Sequence, residues 1–149
     1  MRTRMTVALC LAGALAVTAG PAVAKGHHGR VTFKLTSKVD QAAVVDSPPT
    51  GDSPGDLLVF TEKLYNARGK QVGTDAAQCV RLFDATSLCT GVYKLRGGQI
   101  HVQLVQPGPT GVYDQAVTGG TGKYAGVRGT VTVDQHPGAD RFAFKLRLR

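Results

Sequence analysis

Long apolar runs are almost absent from this sequence. One extends over residues 6–17, which is too short for a comfortable membrane span, and no second candidate follows it. It comes after two arginines and is followed by Ala22-Val23-Ala24, the small-residue pattern of a cleavage site. These features predict a signal peptide over 1–24, a mature domain over 25–149, secretion, and no transmembrane anchor.

Cysteine is scarce, with three in the chain. Cys10 lies in the predicted leader, which leaves Cys79 and Cys89 in the mature protein. No Cys-x-x-Cys pair exists and no histidine lies near them in sequence, which disfavours a metal site. An even number of cysteines in an exported chain favours a disulfide, with two buried free thiols as the alternative.

Nucleotide-binding motifs are missing as well. A P-loop ending at Gly122-Lys123 would need glycine at Val117 and Ser or Thr at Tyr124. The dinucleotide-binding fingerprint also fails, because no helix is predicted to follow the glycines. The sequence therefore predicts no nucleotide cofactor.

Acidic residues are few relative to basic ones: 10 Asp and Glu against 18 Lys and Arg, for a net charge of +8. Removing residues 1–24 takes away two of the arginines and no acid, which leaves 16 against 10. Several of the basic residues alternate along the last predicted strand, 141–149, where they favour a solvated outer face over an anionic surface partner. That face lacks stacking aromatics, so nucleic acid is not a predicted partner.

The mature sequence does contain short runs of alternating apolar and polar residues, without a long helical period. Glycine, proline and aspartate separate these runs, a pattern typical of an all-β barrel or sandwich with about eight strands. Residues 40–55 are predicted as a loop. The predicted strands are 31–36, 57–66, 71–73 (a short strand or edge), 77–83, 88–95, 99–106, 112–118, 127–135 and 141–149.

The glycine-rich segment 116–129 carries a resemblance to a known family. Its Gly-Gly-Thr-Gly-x-Tyr order followed by Arg128-Gly129 resembles a motif of the allene oxide cyclase barrel-like superfamily, which includes the plant dirigent proteins. The likeness covers roughly 56–133 and implies an eight-stranded antiparallel β-barrel with a central cavity, often assembled from two or three copies. Positive φ angles at a sharp corner between strands are predicted for Gly119, Gly120 and Gly122. Gly129, inside a strand, is predicted to mark a bulge or the close approach of another backbone.

The same resemblance implies a function. Its members shape a reactive substrate in the barrel without a cofactor, by proximity and a few polar groups. The implied activity here is cyclisation or stereoselective coupling of a small apolar or phenolic ligand, with a non-catalytic exported ligand-binding or envelope-associated barrel as the alternative. The segment Arg96-Gly97-Gly98-Gln99-Ile100 departs from the dirigent pattern.

Candidate site residues follow from the same matches. Asp114 and Arg128 match the dirigent acid and arginine and are the predicted catalytic pair. Strand parity, however, places both opposite the richer apolar faces, so an outward orientation is the alternative. The predicted ligand-binding residues are Glu62, the candidate for the glutamate of the plant cyclases, and Tyr65, Tyr93 and His101, of which the last three are each more often packed or surface residues.

The mature amino terminus is the one place where a metal is considered. Cleavage after Ala24 would expose Lys25-Gly26-His27, whose amine, amides and imidazole suit square-planar Cu(II) or Ni(II). The favoured interpretation is a polar amino-terminal segment with no metal role.

Overall fold

The computed structural model describes residues 29–108, 110–136 and 140–148, which form a closed antiparallel β-barrel. The predicted signal peptide and Lys25-Gly26-His27 lie outside the described residues. Within the described ranges, no helix is long and apolar enough to cross a membrane. The elements are β1 Arg30–Val45, β2 Leu57–Tyr65, β3 Gln71–Arg81, β4 Ser87–Leu95, β5 Gly98–Gln106, β6 Gly111–Gly120, the 3₁₀ turn η1 Gly122–Tyr124, β7 Arg128–Gln135 and β8 Arg141–Arg147.

Eight strands pair in sequence order, and β1 closes the ring by pairing with β8. The prediction of an eight-stranded antiparallel barrel is confirmed. Closure pairs the first strand with the last, which suits strands that each have one apolar face to bury.

Two strand predictions were wrong. β1 continues to Val45, through part of the predicted loop, because a bulge after Val39 lets its exposed half keep pairing with β2. β3 is one continuous strand rather than two pieces, since Gly73 stays in register between Leu64 and Leu95. In both places cross-strand pairing overrides a weak local pattern.

The half of the barrel near η1 is filled by its own side chains. Phe144 stacks on Phe33 with ring centroids 4.3 Å apart and meets Tyr93 edge-on at 4.9 Å. Tyr124 of η1 packs into the same cluster. This end is therefore a conventional core, whose buried members include Leu35, Leu64, Ile100, Val117, Val127, Val131 and Leu146.

The glycine corner is built differently from the prediction. Of the three clustered glycines only Gly122 has a positive φ, of 58°, and a Cβ there would collide with the carbonyl of Gly97. Gly120 has no positive φ but has the backbone oxygens of Gln99 and Tyr124 close by, and Gly119 has open space around it. Gly129 combines a φ of 145° with close approach to the Lys145 carbonyl.

Candidate functional site

The half of the barrel away from η1 encloses a cavity of about 380 Å³. A cavity of this size lies within the range that ligand pockets occupy, roughly 300–1,000 Å³. Its rim includes the exposed side chains of Val39 and Leu58. Its wall is mainly apolar, contributed by Phe60, Ala77, Val102, Leu104, Val133 and Phe142.

Two acidic side chains lie side by side on this wall. Glu62 of β2 and Asp75 of β3 are direct cross-strand partners, and they are only 4% and 6% exposed. Tyr93 of β4 is in turn the partner of Asp75, so two carboxyls and a phenol form one row across three strands. Asp75 Oδ1 is buried without a hydrogen-bond partner. Buried like charges in direct register are unfavourable and call for a compensating proton or ligand.

Burial shifts the ionisation of both acids. Desolvation raises the pKa of Glu62 to about 7, partly offset by the Ser37 hydroxyl. Desolvation, reinforced by the charges of Glu62 and Asp140, raises the pKa of Asp75 to about 8. Near neutral pH the pair therefore holds protons that it can readily give or take, as an acid–base group requires.

Two tyrosines beside the pair are held by glutamines. The Tyr93 hydroxyl donates to Gln115 Oε1 at 2.6 Å, and the Tyr113 hydroxyl donates to Gln135 Oε1 at 2.7 Å. Burial, with the negative charges of Asp75 and Glu62, raises the pKa of Tyr93 well above its ordinary value. Both phenols are thus neutral, and because each proton is engaged by a glutamine, each oxygen is left to accept a hydrogen bond.

The cysteines form part of the same wall. Cys79 and Cys89 are cross-strand partners joined by a disulfide, with their Cα atoms 4.0 Å apart. The predicted disulfide is confirmed. Gln106 Oε1 lies 3.4 Å from Cys89 Sγ, so the bridge borders the polar network of the cavity.

The predicted catalytic pair lies outside the barrel. Asp114 is exposed and accepts a hydrogen bond of 2.6 Å from the Thr132 hydroxyl. Arg128 is exposed and donates to the backbone carbonyl of Val127 at 2.8 Å. The inward residues of β6 are Tyr113 and Gln115, so the orientation that strand parity offered as the alternative is the one found. The structure does not bring Asp114 and Arg128 to the cavity.

Some of the predicted ligand-binding residues lie inside the barrel and others lie on its outer surface. Glu62 and Tyr93 line the cavity, whereas Tyr65 does not line it and lies near Lys38 on the outer side. His101 borders a separate outer groove together with Val59, Val92 and Gln103. Sequence reasoning missed Asp75 altogether. Asp75 alternates with Ala77 and Cys79 along β3, which would have placed it on the same face as those two residues. The sequence prediction divided β3 into two pieces and so concealed this alternation.

The bend between β1 and β2 contains the letters of a serine-nucleophile motif. The segment 51–55 has the letters Gly-x-Ser-x-Gly of a nucleophile elbow. It lies in a bend between β1 and β2, with no helix after it, and Ser53 Oγ lies 3.1 Å from the Ser47 carbonyl oxygen. Ser53 therefore stabilises the loop. Among the described residues, Ser53 forms hydrogen bonds with Ser47 and Asp56 and with no histidine.

No metal centre is indicated within the described part of the chain, where no group of three or more His, Cys, Asp or Glu side chains converges suitably. The possible copper site at His27 lies outside it and stays a prediction.

The raised acid pKa values predict that stability decreases as pH rises. The fold favours the neutral forms of Glu62 and Asp75. Their full contribution to the free energy of unfolding is therefore present below about pH 4, where both side chains are protonated in the unfolded chain as well. It is lost as pH rises through about 7 to 8. We expect the free energy of unfolding to fall by on the order of a few kcal/mol, less than full burial would cause because both groups line an open cavity.

Urea denaturation at acidic and mildly alkaline pH measures this slope. Asp75→Asn should flatten it, and Asp40→Asn on the outer surface should leave it unchanged. A flat profile in the unsubstituted protein would contradict the buried-acid assignment.

The chain is similar to known proteins of solved structure. No protein-family model and no curated protein matches the chain. The solved structure of a pyocyanin demethylase superposes with a TM-score of 0.71 at 33% identity, covering 78% of this chain and 99% of that one.

Two further structures share less sequence. A Diels-Alderase from Streptomyces koyangensis gives a TM-score of 0.65 at 17% identity and covers 84% of this chain and 71% of its own. A pterocarpan synthase dirigent protein gives 0.59 at 14% identity, over 83% and 90%. Identities this low establish the shared fold alone.

Proposed function

Because the chain belongs to the allene oxide cyclase barrel-like superfamily, we propose that it binds a small, flat, largely apolar aromatic or phenolic ligand and catalyses a proton-coupled rearrangement of it. The reaction class is cofactor-independent isomerisation or cyclisation. Glu62 and Asp75 are the acid–base pair, and Tyr93 and Tyr113 orient the ligand.

The observation that carries the proposal is the buried carboxyl pair. Two acids in direct register, almost fully buried at the wall of an apolar cavity, are costly to maintain for the fold alone. Such groups, with raised pKa values in a cavity, are the usual composition of an acid–base site. A barrel interior used only for stability would instead be filled by apolar side chains, as the half near η1 is.

The chemistry follows from what each group can do. The apolar walls exclude water and hold the ligand close to the acids, so that proximity supplies part of the rate. The carboxylic acid of the pair gives its proton to a ligand heteroatom, while the carboxylate takes a proton from a neighbouring carbon. The pair returns to its original state after the two transfers, so no external oxidant or reductant is consumed.

A second candidate reaction is demethylation of a pyocyanin-like aromatic molecule, in which water adds to the methyl carbon, the methyl group leaves as formaldehyde, and the aromatic ring keeps the two electrons. It is favoured by the 33% identity with a pyocyanin demethylase, a relative covered over 99% of its length. The dirigent resemblance supports directed coupling less strongly, because the exposed positions of Asp114 and Arg128 separate them from the cavity.

We further propose that the protein acts outside the cytoplasm. The predicted leader over 1–24 and the Cys79–Cys89 disulfide both support export, since disulfides persist in oxidising compartments.

The test incubates the purified protein, without added cofactor, with pyocyanin and with a panel of phenolic compounds in D₂O. Binding by calorimetry, followed by deuterium uptake, an isomeric product or loss of a methyl group by mass spectrometry, is the expected result. Binding without any of these would leave a non-catalytic ligand carrier. Absence of binding to every flat aromatic compound would overturn the proposed function.

A further inference from the structure

The charge of the cavity is opposite to that of the whole chain. The protein carries 18 Lys and Arg against 10 Asp and Glu. Yet the cavity lining contains three carboxyl side chains, Glu62, Asp75 and Asp140, and neither lysine nor arginine. One basic side chain, His136, also lines the cavity, and its Nε2 is paired with Asp134. A basic chain whose cavity, within the described residues, is lined by three acids and by neither lysine nor arginine indicates the charge of the ligand.

The mouth of the cavity extends this acidic character. Asp140 is half-buried at the mouth, and its Oδ1 lies 3.3 Å from the His136 backbone nitrogen. The basic groups nearby are engaged by another acid: His136 Nε2 lies 2.8 Å and Arg141 Nη1 3.7 Å from the carboxylate of Asp134. Asp134 thus pairs with both of these basic side chains, while the carboxyl of Asp140 lines the cavity.

The walls suit a flat cation. Tyr93 and Phe142 meet edge to face, with ring centroids 5.5 Å apart, at the base of the cavity beside Asp75. Phe60 and Tyr113 provide further aromatic surface. Aromatic faces attract cations, and the attraction is stronger when the cation is desolvated.

We propose that the natural ligand is a flat aromatic molecule with a positively charged or protonatable ring nitrogen that pairs with the Glu62–Asp75 carboxyls, a permanent cation displacing a proton from them and a basic nitrogen accepting that proton. The inference rests on the cavity and the acid pair of the proposed function, and it names the charge class of the ligand. Anionic ligands, including fatty-acid carboxylates, are disfavoured by three carboxyl groups in a lining that contains neither lysine nor arginine.

The displacement balances in charge and protons. A cation enters, one carboxyl O–H bond breaks, the carboxylate forms an ion pair with the ligand, and the proton leaves to solvent. The other titratable or polar groups facing the pair are Ser37 from β1, Tyr93 from β4, Tyr113 from β6 and Asp140 between β7 and β8. The basic side chain that lines the cavity within the described residues, His136, pairs with Asp134, so the ligand supplies the positive charge beside Glu62 and Asp75. Release of one proton makes the affinity rise by up to about tenfold per pH unit below the pKa of the pair.

The test compares three probes of similar shape and different charge: 1-methylquinolinium, 1-methylnaphthalene and 1-naphthoate. Titration calorimetry near pH 6 and pH 8, in buffers of different ionisation enthalpy, measures affinity and the number of protons released. We expect the cation to bind at least tenfold more tightly than its neutral isostere at the higher pH, with proton release for the cation alone, and the anion to bind most weakly.

Near-isosteric variants assign the effect to the pair. In Glu62→Gln combined with Asp75→Asn, both the preference for the cation and the proton release should disappear, while Asp40→Asn on the outer surface should retain them. The pH dependence of the unsubstituted protein tests the inference even if the double variant does not fold.

The outcomes separate the two proposals. Equal affinity for the cation and the neutral probe, or tighter binding of the anion, overturns the charge assignment and leaves the acid–base function intact. Failure of all three probes to bind removes both.

Discussion

Replacing Glu62 by Gln, or Asp75 by Asn, is expected to lower kcat by about 10²–10⁴-fold, the range that positioned acid–base groups supply. Each substitution keeps the size of the side chain and removes the proton that it gives or takes. Binding of a neutral aromatic probe should change little, because the apolar wall remains intact. The effect should therefore fall on kcat rather than on the dissociation constant.

The pH profile distinguishes chemistry from a merely structural effect. Since the charge of Glu62 helps to raise the pKa of Asp75, Glu62→Gln should move the remaining ionisation to lower pH. Asp40→Asn, which changes an exposed carboxyl paired with Lys63, serves as the matched control and should keep full activity and the original profile. Undiminished activity in both cavity variants, with loss in Asp114→Asn or Arg128→Ala, would restore the outer pair predicted from sequence.

Phe144→Ala is expected to destabilise the barrel by about 3–5 kcal/mol, the usual cost of truncating a buried phenylalanine. The side chain is 1% exposed and contacts two aromatic rings, Phe33 and Tyr93. Its strand pairs with β1 on one side and β7 on the other, so neither neighbour is free to move into the space. A loss of this size is a large part of the roughly 5–15 kcal/mol that holds a typical domain together.

Phe83→Ala is the matched control, because that side chain is 96% exposed. Urea denaturation of the two variants at one pH measures the difference, and Phe83→Ala should lie close to the unsubstituted protein. A change below about 1 kcal/mol for Phe144→Ala would mean that the end near η1 is not the packed core described above.

Local pattern predicted much of the fold. Alternation of Phe142, Phe144 and Leu146 with Lys145 and Arg147 marked the buried face of β8, and each apolar member is buried. The cysteine pair was predicted from number and predicted compartment, and it forms a cross-strand bridge. The local residue pattern did not predict the second half of β1, which is exposed along its length and is held in place by pairing with β2.

The site was less accessible from sequence. Glu62 and Tyr93 were named among several candidates, and the structure places both at the cavity. Asp75 was missed because the division of β3 into two pieces concealed its alternation with Ala77 and Cys79, and a lone aspartate then resembles a solvated one. Asp114 and Arg128 were selected by motif, although strand parity already gave the reason against them.

By itself, the sequence determined that this chain is a β protein with strands of alternating polarity, because side chains on a strand alternate between faces whatever the fold. Only the tertiary structure decided which faces turn inward, that half the interior is open, and that Glu62, Asp75 and Asp140 meet there. Those facts depend on the pairing register between strands distant in sequence. The pairing register places charged groups side by side at a free-energy cost, and the residue pattern of a single strand does not show which groups will meet.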